Sequence, residues 1–407
     1  MGQLALLNAN VLDVEAGALI GERTVCIDGG RIAEIGAGPA ADVAETIDLR
    51  GLTLMPGLVD GHVHVTAATP NFPLLNTWSP AYVTARAGRI LEEMLMRGFT
   101  TVRDAGGADH GLAQAVEEGW LRGPRILFAG KALSQTGGHG DMRSPGQDSF
   151  EGCFCCAGLG RICDGVSEVR RAARDEIRKG ATQIKIMASG GVSSPTDRID
   201  STQFSLEEIR AVVEEADAAN IYVMAHAYTA RAIERLLACG VRTIEHGNLL
   251  EQSTCQAFLT HGAYLVPTLS TYHAIARDGV AAGMPKAMVD TVYEVLDAGT
   301  RALEMAYGAG VPLVYGTDLL GDMHVHQLNE FSLRAGIVSN ADIVRSATCT
   351  AAEAFGRAGE FGVVREGARA DLLAVDGNPL DDLGVLQVPE THLKLILQGG
   401  AVVKRAL

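Results

Sequence analysis

Two histidines separated by one residue end an apolar run near the start of the chain, in the segment MPGLVDGHVHV (55–65). In a β-strand, residues i and i+2 point to the same face, so the rings of His62 and His64 would project together. Two neutral imidazoles that converge on one point form half of a site for a divalent metal ion. A pair of hydrogen-bonded core histidines is the alternative, and the pair alone does not decide between the two.

Further ionisable residues end other apolar runs: Lys185 in QIKIM, His226 in VMAHAY, His246 in RTIEHG and Asp318 in VPLVYGTD. Each of them alone has an ordinary structural explanation, such as a bonded core histidine or an aspartate that caps a helix. Ionisable residues at the ends of five separate apolar runs are harder to explain in that way. The joint pattern indicates a metal site.

Lys185 is expected to be buried, and burial disfavours its ammonium form and lowers its pKa. A neutral amine can react with carbon dioxide to give a carbamate, an anionic group that can bridge two cations. The alternative is a lysine that extends to the rim of the site or pairs with a carboxylate. The histidines, Asp318 and a carboxylated Lys185 fit two divalent metal ions about 3.5–4 Å apart. Zinc suits these ligands, although they also accept other divalent ions.

The apolar runs that carry these residues alternate with amphipathic helical patterns, four of which end at glycine or asparagine, as C-terminal caps favour. This order is typical of a (β/α)8 barrel, in which active sites lie at the carboxyl ends of the strands. A doubly wound open sheet is the alternative, but no glycine-rich dinucleotide fingerprint opens the first βα turn. The eight strand candidates are GLVDGHVHV (57–65), FTTVRDAG (99–106), RILFAGKA (125–132), TQIKIMASG (182–190), IYVMAHAY (221–228), VRTIEHG (241–247), AYLVPTLS (263–270) and VPLVYGTD (311–318).

Both ends of the chain differ from the middle in their sequence pattern. They contain short β-rich runs and the hairpin-type pairs Gly29-Gly30 and Gly399-Gly400. We therefore predict an α/β protein of two domains. Residues 1–56 and 357–407 together form a small β-sandwich domain, and residues 57–356 form a TIM-like hydrolase barrel.

The composition excludes several classes of function. The 407 residues carry a formal net charge of −15, which argues against binding to the phosphate backbone of nucleic acids. The chain lacks an apolar run of about 18 residues, so no membrane span is expected. Eight cysteines in a chain of this length do not require a disulfide framework, which favours a cytoplasmic location. A homo-oligomer is compatible with these features.

Four of the cysteines fall close together in EGCFCCAGLGRIC (151–163), at Cys153, Cys155, Cys156 and Cys163. Their spacing differs from the usual structural-zinc pattern. An extra metal site or a redox role is one interpretation, and small packed thiols in a long loop are the favoured one.

The motifs PGLVDGHVH, QIKIMASGG, HAYT, IEHG and GTD resemble those of the amidohydrolase superfamily. The chain is similar to its prolidase-type branch, which is related to imidazolonepropionases. That similarity rests on VRDAGG (102–107), SQTGGHGD (134–141), KIMASGGVSSP (185–195), MAHAYTARAI (224–233), RTIEHGN (242–248) and VPTL (266–269). Imidazolonepropionases are not expected to carry the strand-four lysine, so Lys185 favours the binuclear branch.

The resemblance implies a division of the ligands between two metal ions. His62, His64 and Asp318 would hold one ion, His226 and His246 would hold the other, and carboxylated Lys185 would bridge them. Asp318 would also accept a proton from the attacking water and pass it to the departing amine.

Two further side chains are candidates for substrate contacts. Tyr228 lies two positions after His226, so it can face the same mouth and donate a hydrogen bond to a developing oxyanion. A tyrosine packed in the core is the alternative. His139 lies in a glycine-flanked loop after strand three, where the backbone can approach a ligand closely. We expect a substrate contact there, with a solvent-exposed histidine as the alternative.

A substrate carboxylate has two candidate binding groups. Arg103 could orient it, although VRDAGG equally suits a structural pair of Arg103 with Asp104. The other group is a set of backbone N–H donors in the segment Ser189, Gly190, Gly191 and Val192.

These features predict a binuclear hydrolase of amide bonds next to a free carboxylate, acting on Xaa-Pro dipeptides and N-acyl amino acids. A cyclic-amide hydrolase of the imidazolonepropionase or hydantoinase type is one alternative. An amidase for an N-acyl-phenylalanine toxin such as ochratoxin is another. A non-catalytic scaffold would be expected to lose metal ligands, and here the set is intact.

Overall fold

The structure of the protein is a computed structural model that describes residues 3–36, 38, 43–147 and 157–407. The chain divides into two compact units. One comprises Met1–Asp60, Glu92–Thr101 and Phe331–Leu407, and the other comprises Gly61–Leu91 and Val102–Glu330. The domain boundaries expected from the sequence, at 56/57 and 356/357, stay a prediction.

The first unit contains a sheet assembled from both ends of the chain, as the sequence predicted. The strands run in the order β17-β16-β15-β5-β1-β2-β3, and β4 pairs with β1. Their bounds are β1 Leu4–Asp13, β2 Ala18–Asp28, β3 Arg31–Gly36, β4 Glu45–Asp48, β5 Thr53–Pro56, β15 Leu372–Val375, β16 Leu393–Gln398 and β17 Ala401–Arg405.

Glycine pairs make the two predicted hairpin turns of this sheet. Gly29 and Gly30 connect the antiparallel strands β2 and β3, with φ angles of 55° and 79°. Gly399 and Gly400 connect β16 and β17, with φ angles of 53° and 78°. Two successive residues with positive φ match the right-handed twist of a hairpin, and glycine adopts them without a steric penalty.

The barrel strands form two hydrogen-bonded groups. Strands β6, β7 and β8 form one group, and a second group of parallel strands runs β10-β9-β11-β12-β13-β14. Their bounds are β6 Leu58–Val63, β7 Phe99–Asp104, β8 Arg125–Phe128, β9 Ala132–Ser134, β10 Gly160–Ile162, β11 Ile184–Met187, β12 Val223–Thr229, β13 Thr243–Leu249 and β14 Tyr264–Val266.

The eighth predicted strand, at 311–318, is only a single parallel bridge between Leu313 and Leu265. Pro312 lacks a backbone N–H, so this segment cannot extend a regular ladder. It still bonds on its other side, where the Gly61 N–H donates to the Tyr315 carbonyl at 2.7 Å. The segment therefore closes the barrel between β14 and β6 by hydrogen bonds on both sides, without forming a regular strand.

The helices that alternate with these strands begin and end near the predicted positions. The four predicted closing residues, Gly98, Gly180, Asn220 and Gly240, all have positive φ, which is the usual geometry just after a helix. The bounds are α1 Phe72–Leu75, α2 Pro80–Met96, α3 His110–Glu117, α4 Gly165–Arg178, α5 Leu206–Ala218, α6 Ala230–Leu237, α7 Gln252–His261, α8 Leu269–Asp278, α9 Lys286–Val292, α10 Leu296–Gly308, α11 Asn329–Arg334, α12 Asn340–Ser346, α13 Cys349–Ala354, α14 Gly384–Gln387 and α15 Pro389–His392.

This fold confirms the predicted class, an α/β barrel with a small additional β domain. Among the helices in the described ranges, none combines the length and the apolar character needed to cross a membrane.

Candidate metal centre and active site

The strand ends bring the six predicted ligands to one place, on the floor of a cavity. The centre of the His62 ring lies 5.4 Å from that of His64 and 5.0 Å from that of His246. The His226 and His246 rings are 4.7 Å apart. The six side chains that share this floor are His62, His64, Lys185, His226, His246 and Asp318.

Asp318 lies between the first two histidines. Its Oδ1 atom is 3.4 Å from Nε2 of His62 and 3.3 Å from Nε2 of His64. The ligand atoms of His62, His246 and Asp318 all lie within 4.8 Å of one another. Imidazole nitrogens and a carboxylate oxygen at this spacing fit a divalent transition metal such as zinc. This grouping includes His246, which the resemblance assigned to the second ion, so the donors form one compact set.

Each histidine is oriented by a hydrogen bond on the nitrogen that faces away from the cavity. The Nδ1–H of His64 donates to the Gly106 carbonyl at 2.8 Å. Nδ1 of His246 contacts the Thr268 hydroxyl at 2.7 Å. In His226 the order is reversed, because its Nε2–H donates to the Gly190 carbonyl at 3.1 Å. The carbonyl partners fix the tautomers of His64 and His226 and leave the opposite nitrogen available to a metal, whereas the Thr268 hydroxyl can either donate to His246 or accept from it.

The outer partner of His62 is a buried carboxylate that the sequence analysis missed. Nδ1 of His62 donates to Oε2 of Glu245 at 2.7 Å. Glu245 also accepts from Nη2 of Arg103 at 2.9 Å and from the Thr243 hydroxyl at 2.6 Å. Glu245 and Arg103 are both 0% exposed, so each neutralises a charge that would otherwise be costly to bury.

The position of Arg103 differs from both roles expected for it. Its guanidinium bonds Glu245 and the Gly61 carbonyl, and it does not line the cavity in the described part of the chain. Asp104 instead accepts backbone N–H groups, including those of Val65 and Gly106. Successive residues of β7 point to opposite faces, so Arg103 faces Glu245 of strand β13 while Asp104 points the other way. Arg103 supports His62 through Glu245, and in this position it does not contact the substrate space.

Three residues of the site have a left-handed backbone conformation without being glycine. They are His246 with φ 76°, Thr268 with φ 50° and Asp318 with φ 52°. Such conformations cost roughly 1–3 kcal/mol each and persist only where the surrounding fold imposes them. Orienting these three side chains therefore lowers the stability of the folded protein.

Burial controls the charge of Lys185, which is 1% exposed. Desolvation lowers the pKa of its amine to about 8, against the attraction of Glu245 and Asp318, which favours the charged form. A minority of the amine, roughly a tenth, is then neutral at pH 7, far more than for an exposed lysine, which agrees with the lowered pKa predicted for a buried lysine.

The histidines separate into two electrostatic groups. Burial holds the pKa values of His62, His226 and His246 well below the usual value, so these rings are neutral and able to bind metal. Burial also opposes protonation of His64, but the hydrogen bond and charge of Asp318 outweigh it and raise the pKa of His64. For Asp318 itself, burial is outweighed by His62 and His64, which lower the pKa of its carboxyl.

The two predicted catalytic contacts outside the ligand set also face this cavity. His139 stacks on His226 with ring centres 4.2 Å apart, and its Nδ1 contacts the Ser194 hydroxyl at 2.8 Å. The ring centre of Tyr228 lies 4.8 Å from that of His226. The Tyr228 hydroxyl accepts a hydrogen bond from the Tyr272 hydroxyl at 3.1 Å, and burial raises the Tyr228 pKa, so this phenol stays protonated.

Residues of the Ser189–Val192 segment contact Tyr228 and His139. The Ser189 hydroxyl accepts the Tyr228 backbone N–H at 3.1 Å. A Cβ atom on Gly191 would lie 2.2 Å from Cε1 of His139, so only glycine allows the imidazole to stand where it does. Val192 is the member of the segment that lines the cavity. A role of its backbone N–H groups in binding a carboxylate stays a prediction.

The cavity above this floor has a volume of about 520 Å³. One wall is apolar, and the ionisable lining is mainly cationic. The apolar wall includes Phe72, Leu159, Val192, Ile275 and Leu320. The charged lining residues are Lys131, Arg143, Arg161, Lys185, Asp141 and Asp318.

One cysteine of the cysteine-rich segment, Cys163, lies in the described part of the chain. Cys153, Cys155 and Cys156 lie outside the described residues. Cys163 is a buried free thiol, and burial raises its pKa to about 12, so it is protonated and unreactive.

Sequence reasoning missed three residues that support the site: Glu245, Thr268 and Tyr272. Glu245 carried a readable signal, because an acid inside the apolar run VRTIEHG requires a buried partner. Thr268 and Tyr272 had no comparable signal, since threonine and tyrosine are ordinary in a strand end and a helix.

Comparison with known proteins identifies the family of the chain. The sequence profile of the Amidohydrolase family matches residues 53–402. The solved structure of a prolidase complexed with N-methylphosphonate-L-proline is 51% identical, covers 99% of this chain and 100% of its own, and superimposes with a TM-score of 0.96. A Xaa-Pro dipeptidase with methionine in its active site is 27% identical and covers 99% of this chain and 100% of its own, with a TM-score of 0.89.

A curated relative extends the comparison. Ochratoxinase from Aspergillus niger is 33% identical over 370 residues, which are 86% of this chain and 75% of the relative. The chain therefore belongs to the amidohydrolase family and is a hydrolase that acts on amide bonds.

Proposed function

We propose that this protein is a binuclear metal hydrolase of amide bonds adjacent to a free carboxylate, with Xaa-Pro dipeptides and N-acyl amino acids as substrates. The observation that carries the proposal is the convergence of four imidazoles, Asp318 and the buried amine of Lys185 on one cavity floor. The prolidase and Xaa-Pro dipeptidase relatives support it. The composition fits a cytoplasmic enzyme that acts on small-molecule substrates.

The donor set divides naturally between two divalent ions, most simply zinc. His62, His64 and Asp318 would hold one ion, and His226 and His246 would hold the other. The neutral amine of Lys185 would form an N–C bond to carbon dioxide and release one proton, giving a carbamate with two oxygens for the two ions. Loaded enzyme should contain about two ions per chain. One ion per chain, with that content unchanged in Lys185→Ala, would contradict the binuclear site.

The chain's own residues supply the remaining chemistry. When bound, the ions would lower the pKa of a water and polarise the scissile carbonyl. Asp318 is placed to accept the proton of the attacking water and return it to the leaving amine. Tyr228, kept protonated by burial, would donate to the oxyanion, and His139 would contact the substrate beside it.

Basic side chains line the cavity beside the metal site. Lys131, Arg143 and Arg161 lie there with the carboxylates Asp141 and Asp318, and Lys185 counts as an anion once it is a carbamate. Arg143 pairs with Asp141 and Arg161 pairs with Asp175, so Lys131 is the lining cation best placed to attract a substrate carboxylate. A free carboxylate on the substrate is consistent with this lining, and proline suits the leaving amine because its tertiary amide requires no N–H acceptor.

The test compares N-acetyl-proline with its methyl ester and its carboxamide, and measures amide cleavage in each. Charge-assisted hydrogen bonds contribute about 1.5–3 kcal/mol each, so loss of two should lower kcat/KM by roughly 10²–10⁴. Equal cleavage of all three compounds would remove the carboxylate from the proposal and favour the cyclic-amide alternative.

A second candidate is the hydrolysis of a bulky aromatic acyl group from phenylalanine, as in ochratoxin. The cavity volume of about 520 Å³ is within the range of pockets for drug-sized ligands, and the apolar wall at Phe72 and Ile275 suits an aromatic group. The ochratoxinase relative supports this candidate as well. A naphthoyl-phenylalanine cleaved with a higher kcat/KM than N-acetyl-proline would favour it, and the reverse order would favour the prolidase-like function.

A further inference from the structure

The loop between β11 and α5, residues 188–205, binds the separate loop that carries His139. Nδ1 of His139 contacts the Ser194 hydroxyl at 2.8 Å and lies 3.5 Å from Oδ2 of Asp197. The backbone N–H of His139 donates to Oε1 of Gln203 at 2.9 Å. Both the ring and the main chain of His139 are therefore held by side chains of one neighbouring loop.

These side chains are also bonded to one another, around the carboxylate of Asp197. The Ser194 hydroxyl donates to its Oδ1 atom, and Nε2 of Gln203 donates to its Oδ2 atom at 2.9 Å. The Asp197 side chain is 3% exposed. Burial alone would raise the pKa of the Asp197 carboxyl, but its interactions with His139, Ser194 and Gln203 outweigh burial and lower that pKa. The group is therefore an anion in the folded protein at neutral pH.

The carboxylate sets the direction of the hydrogen bond to His139. An ionised carboxylate only accepts, and a serine hydroxyl has a single proton to donate. Since the proton of Ser194 goes to Asp197, the Ser194 oxygen accepts from Nδ1 of His139. Nδ1 is thus a donor whether the ring is neutral or charged. Nε2 is the ring nitrogen that remains for a ligand in the cavity, which His139 lines.

Two other contacts restrict where the His139 ring lies without selecting the edge that faces the cavity. The ring stacks on His226, and Gly191 leaves the space that it occupies. Rotation of the ring by half a turn about its Cβ–Cγ bond would keep the stack and exchange Nδ1 for a carbon atom. The bond to Ser194 distinguishes the two orientations, because only a nitrogen can donate to the hydroxyl.

We propose that Asp197 is a positioning residue, which acts through Ser194 and Gln203 to keep the Nε2 edge of His139 turned toward the substrate. This inference rests on the proposed function, in which His139 contacts the substrate. Among the described residues Asp197 does not line the cavity, so it would act without touching the substrate itself.

Asp197→Asn removes the charge and keeps the shape. The amide can donate to Ser194, whose proton is then free to turn toward His139 and reverse the bond. We expect kcat/KM to fall by about 10–100-fold, because displacement of a contact group by about 1 Å can cost about 10²-fold. Asp200→Asn is the control in the same loop, where Asp200 is 63% exposed and pairs with Arg198, and it should retain parent kcat/KM. Parent activity in Asp197→Asn would overturn the proposal.

A double-mutant cycle with His139→Gln separates positioning from a general loss of structure. If Asp197 acts through His139, the variant that combines Asp197→Asn with His139→Gln should be no slower than His139→Gln alone. Multiplied effects would show that Asp197 acts independently of His139 and would refute the proposal. The cycle can use any amide that the parent hydrolyses.

Nuclear magnetic resonance tests the orientation of the ring without a substrate. Proton–nitrogen correlation spectra of the zinc-loaded enzyme distinguish the two ring nitrogens of a histidine, and the His139 signals are those lost in His139→Gln. We expect a proton on Nδ1 of His139 in the parent and a changed pattern in Asp197→Asn. A proton on Nε2 alone in the parent, or identical spectra in both proteins, would contradict the proposal. If the spectra behave as expected but His139→Gln keeps parent activity, the positioning by Asp197 stands and the substrate contact in the proposed function fails.

Discussion

The carboxylate of Glu245 shows how much of this site depends on residues that never meet a substrate. It accepts hydrogen bonds from His62, Arg103 and Thr243 in a space without exposed surface. It therefore orients the ring of His62 and neutralises a buried guanidinium at the same time. Both roles require its charge as well as its shape.

Glu245→Gln should accordingly damage both metal binding and folding. The amide is similar in size, but it leaves the Arg103 charge buried without its counter-ion, which typically costs about 3–5 kcal/mol. Metal affinity should fall about 10–100-fold, because His62 loses its anionic partner. Urea unfolding of metal-free protein and competition with a chelator measure the two effects.

The control is Glu214→Gln, at an exposed ion pair with Arg170 in which Glu214 is 63% exposed. Exposed pairs contribute about 0–1 kcal/mol, so stability and metal affinity should stay near the parent values. If Glu245→Gln behaves like this control, the buried carboxylate has no supporting role.

Asp318→Asn is expected to reduce kcat by at least about 10³-fold, because the amide can neither hold a metal ion as an anion nor accept a proton. The measurement is kcat on an amide that the parent cleaves, with metal content determined in parallel. Asp322→Asn changes a carboxylate that is 94% exposed four residues later and should leave kcat unchanged. Asp318→Asn activity within tenfold of the parent would assign the proton transfer to another group.

At the scale of elements, the loop after β11 illustrates how a backbone feature places a side chain of another loop. Gly191 leaves room for the His139 ring, which in turn stacks on His226. The three residues belong to three different segments of the barrel, so the arrangement is set by packing between loops.

Gly191→Ala should therefore lower kcat/KM by about 10²-fold, since displacement of a contact group by about 1 Å can have this effect. The new Cβ would lie 2.2 Å from the imidazole, and His139 must move away. Thermal unfolding should remain cooperative. Gly308→Ala, where nothing lies within 4 Å of the new Cβ, is the matched control and should retain parent activity.

The elements themselves were largely predictable from the sequence, because they depend on local patterns. Apolar runs that alternate with helical patterns gave eight strand candidates, of which seven are regular strands, and glycine pairs identified both hairpins. The eighth segment is not a regular strand, because Pro312 lacks a backbone N–H donor. Its hydrogen bonds depend on the strands that lie on either side of it. The partners Glu245 and Thr268 were not predictable in their roles, since contacts between strands are formed only by the tertiary fold.

At the scale of the whole molecule, the larger of the two units buries several neutral imidazoles. Burial lowers the pKa values of His62, His226 and His246, and Asp318 raises that of His64. For the first three groups the unfolded chain binds more protons than the folded chain at mildly acidic pH. Their contribution to stability is therefore lost as the pH falls, whereas His64 contributes in the opposite direction.

Metal-free protein should consequently lose stability between about pH 7 and pH 5, by up to about 1.4 kcal/mol per pH unit for each such histidine. Urea unfolding at a series of pH values after chelation measures the slope. His226→Gln should show a shallower slope than the parent. A free energy of unfolding that is constant across this range would mean that the imidazoles are hydrated in the folded state.

The left-handed conformations of His246, Thr268 and Asp318 have a consequence for anyone who engineers this protein. A glycine at any of these positions removes a backbone cost of roughly 1–3 kcal/mol. Selection for heat resistance alone would thus act against these side chains wherever the relieved strain exceeds the packing that is lost. An engineering effort should keep these three residues unchanged and seek stabilising substitutions elsewhere, because stability and catalysis place opposite demands on the same positions.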